Sequence, residues 1–201
     1  MPVQAVSIHT TVAGDDGINF SNGIGSFWVV GPNVVVAADL ADGVESAAVV
    51  ATLINHGSIV SSSFQDAGVR FVNSGTISNE AGALITGSTA IHAEHSNISI
   101  VNFGSIVASS YGVAFFDDTT NTALDNRSSI FSNFCGVYDG SNAHGATINN
   151  SGTIEGLGQG ILLETGIGRT THIVNSGLIK GGTHSVLGGI ASALDLQNSG
   201  K

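Results

Sequence analysis

The carboxylates of this chain are the side chains best spaced to act together. Three successive stretches can be aligned on the pairs Gly112-Val113, Gly136-Val137 and Gly160-Ile161. In that alignment Asp117 and Asp118, then Asp139, then Glu164 fall near one corner, and Glu94 joins from the stretch before. Stacked carboxylates repel unless a cation or a shared proton lies between them. Hard oxygen ligands are what calcium takes. Three readings stay open: a solvated acidic edge, a calcium site built from Asp117, Asp118, Asp139 and Glu164, and a catalytic acid pair. Tyr138-Asp139 with His144 is the one local trio with acid-base potential. His92-Ala-Glu-His95 sets two imidazoles around a carboxylate, a metal face on a helix, but the run reads as loop or strand. Arg70, Arg127, Arg169 and Lys180 are dispersed and too sparse for a sugar-acid lyase. The single Cys135 can form neither an intrachain disulfide nor a zinc site alone. It reads as a small residue inside the fold or as an exposed thiol for intermolecular pairing. A Gly-x-Ser-x-Gly elbow, a phosphate loop with Lys and a dinucleotide fingerprint are all missing.

The elements that position these residues follow from composition and repetition. The chain has 201 residues, 28 of them Gly and only 2 Pro, with 42% hydrophobic and 10% charged residues. Such a chain folds, because disordered chains are poor in apolar residues. Few aromatics leave Val, Ile, Leu and Ala to make the core. The net charge of -10 argues against a nucleic-acid partner or an anionic membrane surface, since both need clustered Lys and Arg. No apolar run approaches the roughly 18 residues of a membrane-spanning helix. The first residues, MPVQAVSIHTTVAGDD, have no basic start and no long apolar run, so they do not read as a secretory signal.

One phrase recurs. N-x-[GS]-x-I occurs at 55–59, 73–77, 102–106, 126–130, 150–154 and 175–179, and a seventh copy begins at Asn198. The position two before each Asn is apolar: Leu53, Phe71, Ile100, Leu124, Ile148, Ile173 and Leu196. Alternation such as Ile148, Asn150, Gly152, Ile154 has the period of a strand. A repeat near 24 residues holds two or three short strands, one coil of a solenoid stacked at about 4.8 Å. The expected fold is all-β: a right-handed parallel β-helix of about seven coils. Ile columns fill its interior, Gly permits corners with positive φ, and the Asn column forms a ladder of side-chain amides.

The irregular intervals carry expectations of their own. Asn55 to Asn73 is short, which predicts a trimmed corner or a coil of different cross-section; Asn73 to Asn102 is long, which predicts a bulge or protruding loop within 80–98. Residues 1–30 read as an N-terminal cap, with Phe27 and Trp28 as a plug over the core. Residues 31–201 read as the β-helix, with 31–50 an irregular first coil. The phrase breaks off at Lys201, so the repeat is expected to continue beyond it or to pair end to end with another copy.

NNSGTIEG and VNSGLIKG resemble the repeats of bacterial surface proteins with right-handed parallel β-helices, the autotransporter passengers and calcium-rich secreted adhesins. The resemblance covers roughly residues 50 to 201. It implies an extracellular or cell-surface location and a structural or adhesive role, a stiff rod presenting loops to a polysaccharide or a host surface. The nine-residue calcium repeat of those adhesins is not present. The alternatives are a polysaccharide-acting β-helix enzyme with its cleft along the acidic column, and a scaffold that self-assembles through its coil ends.

Overall fold

A computed structural model describes residues 3–5, 9–10, 14–20, 26–47, 50–95, 97–116, 121–140, 145–164, 166, 170–189 and 193–201. Within them the chain repeats a three-strand turn, beginning with β1 (Val3–Ala5), β2 (His9–Thr10) and β3 (Ile18–Asn19). Next come β4 (Phe27–Val30), β5 (Val35–Ala38) and β6 (Val44–Ser46), then β7 (Ala51–Asn55), β8 (Ser58–Ser61) and β9 (Ala67–Phe71). In the following turns the second and third strands run together around the corner. There β10 (Gly75–Asn79) precedes the long β11 (Leu84–Ala93), and β12 (Ile98–Asn102) precedes β13 (Ser105–Phe115). Separate strands return with β14 (Ala123–Asn126), β15 (Ser129–Ser132) and β16 (Cys135–Asp139), then β17 (Thr147–Asn150), β18 (Thr153–Gly156) and β19 (Gln159–Leu163). The last turn is β20 (Thr170–Asn175), β21 (Leu178–Gly181) and β22 (His184–Gly188), and β23 (Ala193–Asn198) follows it.

First strands stack only on first strands, as one nine-stranded ladder from β1 to β23. Second and third strands form two further ladders, joined through β11 and β13. All these pairings are parallel, so the described residues form a three-sided parallel β-solenoid. The strand period of two sends alternate side chains inward. Leu53, Ile77, Ile100, Leu124, Ile148 and Ile173 make one buried column. Val36, Ile59, Ile85, Ile106, Ile130, Ile154 and Ile179 make a second. A third runs through Val44, Val69, Ile91, Val113, Val137 and Ile161. Within the span expected as a cap, β1 and β4 continue the first ladder, and Trp28 stands in register between Val3 and Leu53, packed against the core. Phe20, fully buried, meets the edge of Phe71 with ring centroids 6.0 Å apart.

The asparagine column corrects the expected register. Its members are Asn55, Asn79, Asn102, Asn126, Asn150, Asn175 and Asn198. Asn73 is not among them; its amide donates to the Ala47 carbonyl at 2.5 Å. Ile77 occupies the apolar position two before the column, which the sequence reading gave to Phe71. The cause is local. Four residues separate Asn55 from Ile59, but six separate Asn79 from Ile85, which shares the Ile59 column. The extra residues form a turn closed by Ala83 N–H donating to the Glu80 carbonyl, with Gly82 at φ +82°. That insertion hides the phrase at Asn79, while a chance copy at 73–77 mimics it. No trimmed coil exists here: ladder partners Asn55 and Asn79 are 24 residues apart, and Asn79 and Asn102 are 23 apart. The expected loop within 80–98 is mostly β11, bonded to coils on both sides.

The glycine of N-S-G is also explained differently. Its φ is not positive; among described residues only Gly14 and Gly82 are such glycines. A Cβ on Gly152 would stand 2.0 Å from the Ser128 carbonyl oxygen, and one on Gly177 at 2.0 Å from that of Gly152. Close stacking of coils, not backbone conformation, selects Gly there. Ser128 holds the equivalent place in one coil, and the Ser129 N–H to Gly104 carbonyl bond stretches to 3.4 Å beside it.

Candidate functional site

Each Asn of the ladder is buried from Asn55 to Asn175. Its Nδ2 donates to the Oδ1 of the next Asn at 2.7 to 2.8 Å. The second N–H reaches a carbonyl of the following coil, for example Thr153 from Asn126 at 3.0 Å. Oδ1 also accepts from the motif glycine, as from Gly57 N–H at 3.1 Å and Gly104 N–H at 3.2 Å. Every polar atom of the amide is therefore used in holding coils together. This column is a structural element, so chemistry must be sought on the outer faces.

The predicted acidic corner does not assemble as a column among the described residues. Asp117 and Asp118 lie outside them, as does His144. Asp139 stands in register with Phe115 and Leu163, inside the solenoid and fully buried. Its Oδ2 accepts from the Thr171 hydroxyl at 2.6 Å and from Ala146 N–H at 3.0 Å. Glu164 is exposed and accepts from the Tyr138 hydroxyl at 2.9 Å. The two acids are one residue out of register, and strand alternation sends them to opposite sides. Tyr138 and Asp139 diverge for the same reason. Among the described residues no group of three His, Cys, Asp or Glu side chains is arranged to hold a metal ion. Cys135 is buried with Sγ against the Val137 carbonyl at 3.1 Å, and burial pushes its thiol up to about 12. It is the small interior residue of the two readings.

What the third ladder does bring together is a lateral strip. Outward positions on consecutive rungs are Asn19, Glu45, Arg70, His92, Ala114 and Tyr138. Arg70 spans three coils: it donates through Nε to Glu94 Oε1 at 2.8 Å and through Nη1 to Glu45 Oε1 at 3.4 Å. Burial pulls the Arg70 guanidinium down, but the bond and charge of Glu94, with Asp42 and Glu45, hold it above its ordinary value. His92 Nε2 lies 3.2 Å from Glu94 Oε1, and its ring lies 4.5 Å from that of Phe116. The rings continue as Phe116 to Tyr138 at 5.2 Å, Tyr138 to Tyr111 at 5.1 Å and Tyr111 to Phe134 at 5.6 Å. Burial, then Glu164, raises the Tyr138 hydroxyl well above the phenol range, so it serves as a donor and not as a base. Glu45, Asp42 and this run of rings escape detection in sequence because their spacing is set by coil length, which only register reveals. Lys180 pairs with Glu155 at 2.5 Å and Arg127 with Asp125 at 2.6 Å, while Arg169 lies outside the described residues.

One prediction follows from the acidic end of the strip. Burial, then Asp16, raises the Glu45 carboxyl to about 7, and burial raises Asp42 to about 6. A carboxyl whose folded pKa lies above its unfolded value binds protons more tightly when folded. Its contribution to stability is full below the unfolded value and is lost as pH rises through the folded one. The melting temperature of the wild type relative to Glu45→Gln therefore falls as pH rises from about 4.5 to about 7. A difference that stays constant across that window, by thermal melts at matched ionic strength, contradicts the assignment.

No family model, no curated protein and no solved structure matches the chain.

Proposed function

We propose that this chain is a structural and adhesive β-solenoid segment, a stiff rod that works at a cell surface or outside the cell. The observation that carries the reading is the unbroken asparagine column, whose amide bonds tie each coil from Asn55 to Asn198 to the next. Such bonding makes a long stack rigid along its axis and leaves the side faces free to meet a partner. The N-S-G-x-I phrase supports kinship with surface β-helices. The lateral strip, not a protruding loop, supplies the contact surface in this reading. Its half-buried rings and mixed polar groups suit a polysaccharide, whose ring faces are apolar and whose rims are hydroxyls. The exposed edge of β23, with Leu194 and Leu196 partly uncovered, favours end-to-end pairing of two copies as a second mode of assembly.

The test is binding without turnover. The chain is flowed over immobilised cell-surface polysaccharides and over whole bacterial and host cells, and the same polysaccharides are assayed for new reducing ends and ultraviolet-absorbing product. Retention with no product is the expected result. Product formation replaces the rod reading with the enzymatic one, and absence of retention on every surface removes the adhesive role. Sedimentation velocity at high micromolar concentration reads the pairing, which a persistent monomer excludes.

A further inference from the structure

A groove of about 340 Å³ opens at the corner where the second ladder turns into the third. It crosses four coils. Phe64 lies beyond the end of β8, Thr86 and Ser88 sit at the bend of β11, Ser109 at the bend of β13, and Phe131 and Asn133 at the end of β15. At this bend the register of β11 against β13 shifts between Gly87 and Thr89. Its volume is at the lower end of small-ligand sites, about 300 to 1,000 Å³.

We propose that this groove binds an uncharged glycan. The proposal rests on the adhesive reading and narrows its ligand. None of the residues lining the groove is charged, although the chain carries a net charge of -10. The side chains of Thr86, Ser88, Ser109 and Asn133 make no hydrogen bond within the described residues. Hydroxyls and a carboxamide both donate and accept, as sugar hydroxyls do, so the two sets pair without regard to direction. Phe64 is 91% exposed, and Phe131 also lines the groove. A large ring held in water at a corner is a surface for the C–H face of a sugar. A uronate or sulfated polymer would bring anions to a groove with no cation and into the field of an acidic chain, which disfavours both. The geometry thus selects neutral polymers over acidic ones.

Isothermal titration of the full chain with neutral gluco-, manno-, galacto- and N-acetylglucosamine oligosaccharides, beside uronate oligosaccharides of equal length, decides the matter. One neutral series binds and the uronates do not. Phe64→Ala and Phe131→Ala each weaken that binding by about tenfold or more. Phe64 makes no core contact to lose, so its variant melts with the wild type and separates binding from folding. Lys180→Ala, outside both the groove and the strip, leaves neutral binding unchanged. The proposal is overturned if uronates bind as well as neutral sugars, if both Phe variants bind normally, or if no neutral series gives heat. Adhesion of the whole chain to cells is measured alongside. Adhesion that survives those failures leaves the rod reading standing, and adhesion lost with them removes both.

Discussion

Asn126→Ala loses about 3 to 5 kcal/mol of stability, by far more than a surface substitution. Asn126 is fully buried in the middle of the ladder. It accepts from Asn102 Nδ2 at 2.8 Å and donates to Asn150 Oδ1 at 2.7 Å and to the Thr153 carbonyl at 3.0 Å. Alanine leaves a donor on one side and two acceptors on the other without their partner. Each stranded buried group costs about 1 to 3 kcal/mol. In a stack where each coil contacts only its neighbours, a weak interface in the middle also divides the cooperative unit. Urea denaturation followed by circular dichroism therefore shows both an earlier midpoint and a broader transition. Asn198→Ala is the control. Asn198 is exposed at the last rung, where water replaces the lost partner, so its effect is below about 1 kcal/mol. Equal midpoints for the two variants would falsify the idea that the ladder binds the coils.

Asp139→Ala is the second large effect, a loss of about 3 kcal/mol. The carboxylate stands among Phe115, Leu163 and their neighbours and is fully buried. There it holds Ala146 N–H, at the entry to β17, and the Thr171 hydroxyl of β20. It thus ties the end of one coil's third strand to the first strands of the next two. Removing it strands a buried amide and a buried hydroxyl and opens a small cavity. Thr171→Val costs less, because Asp139 keeps its backbone partner. The two substitutions together fall short of the sum of their separate effects, since each deletes the same bond. The loss is the same in millimolar calcium and in chelator if Asp139 acts as this internal tie. A stability difference that appears only with calcium would instead place a cation on Asp139.

Those two residues mark how far the chain can be read without its structure. Asn126 was legible. An Asn with an apolar residue two before it and Gly or Ser two after it, recurring near 24 residues, can satisfy its amide only by stacking. The β class, the coil length and most of the interior Ile columns follow from the same repetition. The inward face of Asp139 was not legible, because composition favours an acid outside and a strand alignment uncertain by one residue does not decide which face a side chain takes. In a strand one residue reverses the side.

What the sequence alone determined is whatever every coil repeats: strand alternation, apolar columns and the asparagine ladder. Repetition makes each position vote several times, so a local error at Asn73 leaves the fold unchanged. What only the tertiary structure decided is whatever occurs once. The insertion at Gly82, the inward turn of Asp139, the Glu45–Arg70–Glu94 bridge and the corner groove between Phe64 and Asn133 depend on register between coils. Register brings together residues some two dozen positions apart, and a single insertion shifts every later neighbour. The stack is therefore written in the sequence, while the surfaces where a partner would dock emerge only when the coils are laid on one another.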